Sequence, residues 1–457
     1  MKKKFHFIGI GGIGMSALAR LLLKRKATVS GSDNNTNKII DTLKQLGADI
    51  NLGHRSDLVS EDAAVVYSSA VKCDNPEYQE AKNKNCSLLH RSDLLNYLME
   101  GYKPLTVAGT HGKTTTSSLL TYVLLSAGKE PSYAIGGVLL NEDTNSNAGK
   151  GEYFVAEADE SDGTFLKYSP YAMIVTNIGS GDHIDNYGSQ DALTDAYVEF
   201  LGKIDDKDRI FYCADDDRLK NLNVNGISYG FGEGLDLRVS NYRQEGWHTF
   251  FDIEYKGIFY RNIKLALVGA HNVLNSLAVW GLAHSLGVEE AEIRKGFCNF
   301  KGVGRRCEKK GEIYGIEIYD DYAHHPAEIK TTLSAIKAAI GSRRLVVLFQ
   351  PHRYTRTKEC LAEYRGAFDT VDALFVTDVY SAGEEPLEGV SPEAVIKKSG
   401  HLHASYVARE NISTKAMLFL EHGDVLVTMG AGDITSVGVK VLEELSKREP
   451  CRVGVLA

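Results

Sequence analysis

The sequence lacks two features that would each have indicated a particular class of protein. It has no basic excess: 52 Lys and Arg residues stand against 60 Asp and Glu, which gives a formal net charge of −8. A broad nucleic-acid footprint needs a basic face, so we predict no nucleic-acid partner. The chain also has no apolar run approaching the roughly 20 residues that span a bilayer. We therefore predict no integral membrane contact.

Paired cysteines are a third missing feature. The seven cysteines are scattered, odd in number and free of any C-x-x-C spacing. This pattern is typical of reduced structural thiols. The basic start MKKK is followed directly by a glycine-rich strand–helix pattern. This pattern is not typical of a signal peptide. The sequence predicts a cytoplasmic protein, and we expect a monomer or a weak homodimer.

Length and periodicity together predict an α/β protein of three domains. A chain of 457 residues is long enough for about three domains. Residues 1–103 alternate short apolar runs with helical segments, which predicts an N-terminal Rossmann-like parallel sheet. Residues 104–304 predict a central P-loop ATPase α/β domain, with a small antiparallel sheet between residues 226 and 267. Residues 305–457 predict a C-terminal Rossmann-like α/β domain.

The most informative motif is LTVAGTHGKTTT, residues 105–116. A buried strand leads into a turn and then a helix. Gly109 and Gly112 allow backbone N–H groups to converge on an anion at the helix N-terminus. Lys113 would reach terminal phosphates, and the Thr114 hydroxyl would ligate Mg²⁺. Only two residues separate the first glycine from the Gly-Lys pair, so this is a shortened phosphate loop. The alternative is an ordinary strand–turn–helix corner.

A second glycine turn lies near the start of the chain. Gly9, Gly11 and Gly14 form G-x-G-x-x-G between a strand and a helix, and Asp33 follows the next strand. Taken alone, this pattern predicts NAD or FAD binding. The alternative is that the turn binds the diphosphate of another nucleotide, which a chain that already has an ATP loop favours. Both interpretations place a diphosphate at this helix N-terminus.

Two strand ends downstream of the phosphate loop carry candidate metal ligands. VAEADESD places Glu157 nearest a buried strand, where a carboxylate can hold Mg²⁺. A solvated acidic turn is the alternative, above all for Asp159 and Asp162. In TNIGSGDHID, His183 beside Asp182 is a candidate second metal ligand, and a structural histidine is the alternative.

The rest of the chain adds polar and cationic side chains at helix starts and strand ends. Asn272 and Asn275 open a helix, where they would either read an adenine edge or cap the helix. Arg306, next to another arginine, offers a planar cation to phosphate. Arg353 and Arg356 in QPHRYTRT suit a bidentate grip on a carboxylate. A surface charge cluster is the alternative for these two arginines.

Taken in order, these motifs resemble the Mur ligase family throughout the chain. The resemblance is carried by GIGGIGMSALA, GTHGKTTT, EADESD, HNVLNSLA, GRR, DDYAHHP and HRYTRT. It implies ATP-dependent amide formation through an acyl phosphate, in peptidoglycan precursor synthesis. The opening motif, and HHP together with HRYTRT, resemble the family member that joins L-alanine to the lactyl carboxylate of UDP-N-acetylmuramate, with ATP and Mg²⁺.

The resemblance also implies a role for individual residues. Lys113, His324 and Arg353 would be catalytic. The implied ATP contacts are Gly109, Thr110, His111, Gly112, Lys113, Thr114, Thr115, Asn272, Asn275, Arg306 and Asp321. The implied UDP-sugar contacts are Ile10, Gly11, Gly12, Ile13, Gly14, Asp33, Ser69, Arg91 and Asn177. The implied alanine contacts are Tyr322, His324, His352, Arg353 and Arg356. The implied metal ligands are Thr114, Glu157 and His183.

The sequence departs from the family pattern at one point. Three residues instead of two separate T-N-I from Asp182-His183, and a bulge would absorb the extra residue. We interpret the tail CRVGVLA as a linker remnant of a longer polypeptide. A nicotinamide oxidoreductase and a non-enzymatic nucleotide-binding switch are the competing functions. Neither explains the arginine–histidine cluster of the third predicted domain.

Overall fold

The structure is a computed structural model that describes residues 4–179 and 184–447. Asp182, His183 and the tail from residue 451 onwards lie outside the described residues. The chain divides into two compact units. The first comprises Met1–Asn241, Phe251–Lys264 and Leu274–Lys301, and the second comprises Tyr242–Phe250, Leu265–Val273 and Gly302–Ala457. Among the helices that the structure describes, none is both long and apolar enough to cross a membrane.

The N-terminal part of the first unit is a parallel sheet with helices between its strands. The strands are β1 (Lys4–Ile8), β2 (Thr28–Asp33), β3 (Asp49–Leu52), β4 (Ala64–Tyr67) and β5 (Ser87–His90). The helices are α1 (Ile13–Lys24), α2 (Lys38–Gln45), α3 (Pro76–Asn83) and α4 (Arg91–Met99), with a 3₁₀ turn at Ser56–Leu58. The strand order is β3-β2-β1-β4-β5, and all four pairings are parallel. This confirms the predicted Rossmann-like sheet.

The central sheet has ten strands in the order β15-β14-β13-β12-β11-β10-β6-β9-β7-β8. Its strands are β6 (Lys103–Ala108), β7 (Ser132–Leu139), β8 (Thr144–Asn147), β9 (Tyr153–Glu157), β10 (Ala172–Val175), β11 (Ile210–Cys213), β12 (Ile227–Gly230), β13 (Leu237–Glu245), β14 (His248–Tyr255) and β15 (Ile258–Leu265). Its helices are α5 (Lys113–Ser126), α6 (Ile184–Tyr187), α7 (Gln190–Leu201), α8 (Asp217–Asn221), α9 (Ala270–Ser285) and α10 (Glu290–Asn299), with 3₁₀ turns at Thr164–Lys167 and Lys207–Arg209.

Strands β13, β14 and β15 are the small sheet that the sequence predicted. Two-residue turns join them, as in β-hairpins. They continue the ten-stranded sheet beyond β12 instead of forming a separate layer.

Within the same sheet, β6 pairs in parallel with both β9 and β10. The carboxyl ends of β6, β9 and β10 therefore meet at one sheet edge, which is where ligands bind in such sheets.

The second unit contains a six-stranded sheet in the order β16-β17-β21-β18-β19-β20. Its strands are β16 (Glu308–Ile313), β17 (Ile316–Asp321), β18 (Leu345–Phe349), β19 (Ala373–Val376), β20 (Ala404–Tyr406) and β21 (Val425–Met429). Its helices are α11 (Pro326–Ile340), α12 (Tyr354–Glu359), α13 (Pro392–Ser399), α14 (Ile412–Phe419) and α15 (Thr435–Ser446). Only the β16–β17 pairing is antiparallel among the described pairings of this sheet.

Strand β18 shows why this sheet is covered on both faces. Leu345, Val347 and Phe349 belong to a hydrophobic cluster that also contains residues of α11. Val346 and Leu348 belong to a second cluster, with residues of α14 and α15. Because successive strand residues point to opposite faces, an uninterrupted apolar run requires helices on both sides. The run LVVLF thus predicts the layered α/β core that is observed.

A buried polar network stabilises the N-terminal sheet. Glu77 in α3 is fully buried, and its carboxylate accepts hydrogen bonds from Ser32 Oγ at 2.8 Å and from the Arg55 N–H at 3.0 Å. His6 Nε2 lies 2.9 Å from the same carboxylate. Burial alone would raise the pKa of Glu77, but these hydrogen bonds outweigh it and the pKa is lowered. The carboxylate therefore connects α3 to β1 and β2.

We predict that Glu77→Ala lowers the free energy of unfolding of the N-terminal domain by about 3 kcal/mol, because it leaves buried donors unpaired. Urea denaturation followed by fluorescence measures this change, and the exposed Glu61→Ala is the control. A depressed folded-state pKa means that the contribution is full above the unfolded-state pKa of about 4.3 and is lost as pH falls. A loss equal to that of Glu61→Ala would contradict the network's role.

Candidate functional site

The phosphate loop has the backbone geometry that its glycines predict. It connects β6 to α5, and Gly109 and Gly112 have φ angles of 131° and 85°, in the region that favours glycine. A Cβ atom on Gly112 would lie 2.7 Å from Asn275 Oδ1. Asn275, a predicted ATP contact on α9, therefore lies directly against the loop. The helix predicted after this turn is confirmed by α5.

Lys113 lies at the first position of α5 and is held by a carboxylate that sequence reasoning did not single out. Its Nζ donates to Glu160 Oε2 at 2.7 Å and to the Gly109 carbonyl at 2.6 Å. Glu160 is fully buried. Burial would lower the pKa of Lys113, but the charges of Glu160, Asp159 and Glu157 together with the hydrogen bond to Glu160 outweigh it, and the pKa is raised. Lys113 is therefore a charged ammonium at the start of a helix, next to the loop.

Glu157 and Thr114 form the pair predicted to hold a metal ion. Thr114 Oγ1 lies 3.2 Å from Glu157 Oε2 at the end of β9. The other oxygen, Oε1, accepts from Ser117 Oγ at 3.0 Å and from the Gly136 N–H at 2.5 Å. Oxygen donors at this spacing are the ligands that Mg²⁺ prefers. The chemistry of this pair fits Mg²⁺. His183, the predicted second ligand, lies outside the described residues.

Asn177 lies at the phosphate loop, although the resemblance implied a contact with the UDP sugar. Its Oδ1 accepts from the His111 N–H at 2.9 Å, and its Nδ2 donates to the His111 carbonyl at 2.9 Å. Nearby, the Gly179 N–H donates to Thr110 Oγ1 at 2.8 Å. These bonds fix the two loop residues between the glycines. The role that the structure supports for Asn177 is to shape the loop.

The N-terminal glycine turn is closed by its own hydrogen bonds and leads into the start of α1. The Gly9 and Ile10 N–H groups donate to the Ser32 carbonyl, at 2.9 and 3.0 Å, and α1 begins three residues later. The Gly11 N–H donates to Asp33 Oδ2 at 2.9 Å. A Cβ atom on Gly14 would lie 3.0 Å from Arg91 Nη1. A guanidinium beside a helix N-terminus favours a diphosphate there.

Arg91 and Ser69 contact the acidic segment that follows β9. Arg91 Nη2 lies 3.5 Å from Asp159 Oδ2, and Ser69 Oγ donates to Asp162 Oδ2 at 2.7 Å. The side chain of Asp162 is only 17% exposed. The alternative of a solvated acidic turn therefore does not hold for Asp162, because the acidic segment contacts Ser69 in the turn after β4 and Arg91 at the start of α4.

The predicted alanine contacts lie together in the second unit. The ring of His324 is 5.4 Å from that of Tyr322 and 5.7 Å from that of His352, and Arg356 is hydrogen-bonded to His324 Nε2. Because Arg356 only donates, His324 Nε2 accepts, and Nδ1 carries the proton toward the Tyr322 carbonyl at 3.1 Å. Burial lowers the pKa of His324 to about 4, so the ring is neutral at pH 7.

Arg353 is held by Glu384, a second residue that sequence reasoning missed. Arg353 Nε donates to Glu384 Oε1 at 2.5 Å, and the Thr355 N–H donates to Glu384 Oε2 at 3.0 Å. Although desolvation would raise it, the pKa of Glu384 falls to about 2 through these bonds. Because Glu384 is bonded to Nε, the Nη groups of Arg353 can donate to other partners. No motif around Glu384 could have identified it.

Three predicted ATP contacts of the second unit have structural partners. Asp321 is buried, and its oxygens accept from the Cys307 and Ala323 N–H groups at 2.7 and 2.8 Å. Burial raises the pKa of Asp321 to about 6, against the opposing charge of Arg306. The guanidinium of Arg306 lies 4.9 Å from the centre of the Tyr322 ring. Asn272 Nδ2 donates to the Val268 carbonyl at 2.8 Å. Their ATP contacts stay predictions.

Comparison with known families agrees with this arrangement of motifs. Residues 4–103 match the Mur ligase family, catalytic domain; residues 107–283 match the Mur ligase middle domain; residues 305–432 match the Mur ligase, glutamate ligase domain. The chain belongs to the Mur ligase family. ATP-dependent ligation is the general chemistry of this family.

Individual relatives match over nearly the whole chain. The UDP-N-acetylmuramate–L-alanine ligase of Protochlamydia amoebophila is 49% identical over 449 residues, which cover 97% of this chain and 99% of that protein. The bifunctional enzyme MurC/Ddl of Chlamydia caviae is 44% identical over 96% of this chain, and the match spans 54% of that protein. The crystal structure of UDP-N-acetylmuramate-alanine ligase from Thermotoga maritima superposes with a TM-score of 0.85 at 29% identity, covering 98% of this chain and 100% of that one.

We predict that Asn177→Ala weakens ATP binding about 10- to 30-fold, since it removes two hydrogen bonds that shape the loop, each worth about 1 kcal/mol. Isothermal titration calorimetry with ATP measures this change. Asn221→Ala, on an exposed helical position, is the matched control. Unchanged ATP affinity together with weakened binding of the UDP sugar would instead support the contact that the resemblance implied.

Proposed function

We propose that this chain is a UDP-N-acetylmuramate–L-alanine ligase, which joins L-alanine to the lactyl carboxylate of the UDP sugar and converts ATP to ADP and phosphate. The observation that carries the proposal is the presence of two distinct site clusters in one chain. One is a lysine-bearing phosphate loop with a carboxylate–hydroxyl pair. The other is an arginine–histidine cluster suited to an amino acid. The names of the relatives support the same substrates.

The first half-reaction forms an acyl phosphate. The lactyl carboxylate attacks the γ-phosphorus, the bond to the β-γ bridging oxygen breaks, and ADP leaves. Two anions must approach each other, and the ammonium of Lys113 lowers the repulsion between them. Mg²⁺, held by Thr114 and Glu157, would supply further charge neutralisation on the phosphate oxygens. Asn177 keeps the loop N–H groups converged on the phosphates.

The second half-reaction uses the arginine–histidine cluster. The ammonium of alanine first loses a proton to solvent, and the resulting amine attacks the acyl carbon. The tetrahedral intermediate loses a second proton from nitrogen and expels phosphate as the carbon–oxygen bond to it breaks. Arg353 and Arg356 would bind the alanine carboxylate through their guanidinium groups. His352 Nδ1 is buried without a hydrogen-bond partner in the described part of the chain, and burial lowers the pKa of this residue to about 4. We assign this neutral nitrogen as an acceptor for the alanine ammonium.

The N-terminal glycine turn is assigned to the UDP diphosphate. Backbone N–H groups at the start of α1 and the Arg91 guanidinium supply the positive field, and no nicotinamide is required to explain them. We further propose that the enzyme acts in the cytoplasm, because two of its three substrates are nucleotides and its cysteines have the pattern of reduced thiols. We also propose that it is a monomer or a weak homodimer.

A phosphate-release assay tests the reaction. ATP, UDP-N-acetylmuramate and L-alanine together should release phosphate, and omission of any one should abolish the release. Replacement of alanine by glycine, serine or larger amino acids measures the selectivity of the pocket. A change in NADPH absorbance with the UDP sugar, in place of phosphate release, would favour an oxidoreductase instead.

We predict that Lys113→Ala lowers the rate of ligation at least 10²- to 10³-fold, the range for loss of one electrostatic stabiliser. It also strands the buried Glu160 carboxylate, which costs stability. The double variant Lys113→Ala/Glu160→Gln removes that stranded charge, so it should regain thermal stability and stay inactive. Lys150→Ala, an exposed lysine, is the control. Activity in the stable double variant would overturn the assignment of the loop lysine.

We predict that Arg353→Ala raises the KM for L-alanine about 30-fold or more and leaves the KM for ATP nearly unchanged, because a carboxylate partner is lost. Glu384→Ala should raise the same KM to a smaller extent, since it releases the Arg353 guanidinium from its position. Glu385→Ala, an exposed neighbour, is the matched control. Steady-state kinetics with each substrate varied in turn separates the two values. Equal increases in both would place Arg353 on the phosphates.

A further inference from the structure

Three side chains with different donor atoms converge in the second unit, outside the residues assigned to alanine. They are His325, Cys360 and Glu363, and their ligand atoms all lie within 4.8 Å of one another. His325 Nε2 and Glu363 Oε2 are 3.7 Å apart. A tetrahedral zinc ion with bonds of 2.0–2.3 Å places neighbouring donors roughly 3.3–3.8 Å apart. The nitrogen and the oxygen already have this separation, and the sulfur lies within 4.8 Å of both.

The backbone fixes these side chains at the ends of two helices. His325 is the N-cap of α11, and its Nδ1 accepts from the Ala327 N–H at 3.3 Å. Cys360 is the C-cap of α12, and its N–H donates to the Arg356 carbonyl at 3.0 Å. The Glu363 N–H donates to the Cys360 carbonyl at 2.9 Å. The three donors therefore come from backbone that is held by hydrogen bonds.

The burial of the cluster suits a cation that enters from solvent. His325 and Cys360 are only 8% and 7% exposed, whereas the side chain of Glu363 is 57% exposed. A cation would meet the carboxylate first and then the two buried donors. The nitrogen and sulfur donors are soft or borderline, and Mg²⁺ prefers oxygen ligands. The donor set is thus selective against the Mg²⁺ expected at Glu157.

We propose that His325, Cys360 and Glu363 form a binding site for one zinc-class divalent cation per chain, with water as the fourth ligand. Binding through His325 Nε2 moves the ring proton to Nδ1, which ends the contact with the Ala327 N–H. The Cys360 thiol loses its proton to solvent as the sulfur–metal bond forms. Cation binding therefore removes the hydrogen bond by which His325 caps α11. Only a cation with affinity for thiolate occupies the site.

Cobalt titration tests this site, because a Co²⁺–thiolate bond gives a charge-transfer absorption that oxygen ligands do not. The reduced full-length protein is titrated with Co²⁺ in excess Mg²⁺ and ATP, which block the phosphate site. We expect the absorption to saturate at one equivalent and to be displaced by Zn²⁺. Cys360→Ser should abolish it, whereas Cys73→Ser, at an exposed cysteine, should retain it.

Glu363→Gln provides a test that does not depend on a buried substitution. This variant changes an exposed side chain, so the fold is kept, and the Zn²⁺ dissociation constant should rise at least tenfold. Absence of the thiolate absorption from the wild-type protein would overturn the proposal. So would its persistence in Cys360→Ser, or an unchanged dissociation constant in Glu363→Gln.

Discussion

The buried ion pair between Lys113 and Glu160 is the interaction on which the phosphate site depends. A lysine at the first position of a helix lies where the helix dipole is already positive, so it needs a compensating charge when no phosphate is bound. Glu160 supplies that charge at 2.7 Å from within the core. A buried carboxylate left alone would be strongly destabilising. The pair therefore keeps Lys113 charged and beside the loop before any substrate arrives.

The carboxylate of Glu157, three residues before Glu160, has hydrogen-bond partners different from those of Glu160. Glu157 is bonded to hydroxyl and N–H donors, and Glu160 is bonded to an ammonium. These hydrogen-bond donors carry no formal charge and do not neutralise the carboxylate of Glu157, so it remains attractive to a cation. The negative charge of Glu160 is already matched. Two glutamates three residues apart thus have opposite tasks, which the acidic motif alone does not distinguish.

Local sequence patterns predicted the strands, turns and helices of this protein better than they predicted which distant residues contact each other. The glycine turns, the strand before each turn and the helix after it follow from periodicity and from the conformational freedom of glycine, so the phosphate loop and the N-terminal turn lie where the sequence placed them. The partners were missed because they depend on how strands and loops assemble. Ser69 reaches Asp162 across 93 residues of sequence, and Arg353 reaches Glu384 across 31. Neither spacing has a periodicity that a reader of the sequence could detect.

Arg353 shows how such a distant contact determines a functional side chain. Its φ angle of 63° lies in a region that non-glycine residues rarely adopt, at a cost of about 1–3 kcal/mol. Two contacts from the segment after β19 offset this cost: the Arg353 N–H donates to the Tyr380 carbonyl at 2.8 Å, and Glu384 binds the guanidinium. Because the strained backbone directs the side chain and the carboxylate fixes it, the position of the guanidinium is set by a segment that carries no recognisable motif. A substitution in residues 380–384 would therefore change the position of the Arg353 guanidinium, although Arg353 itself is unchanged.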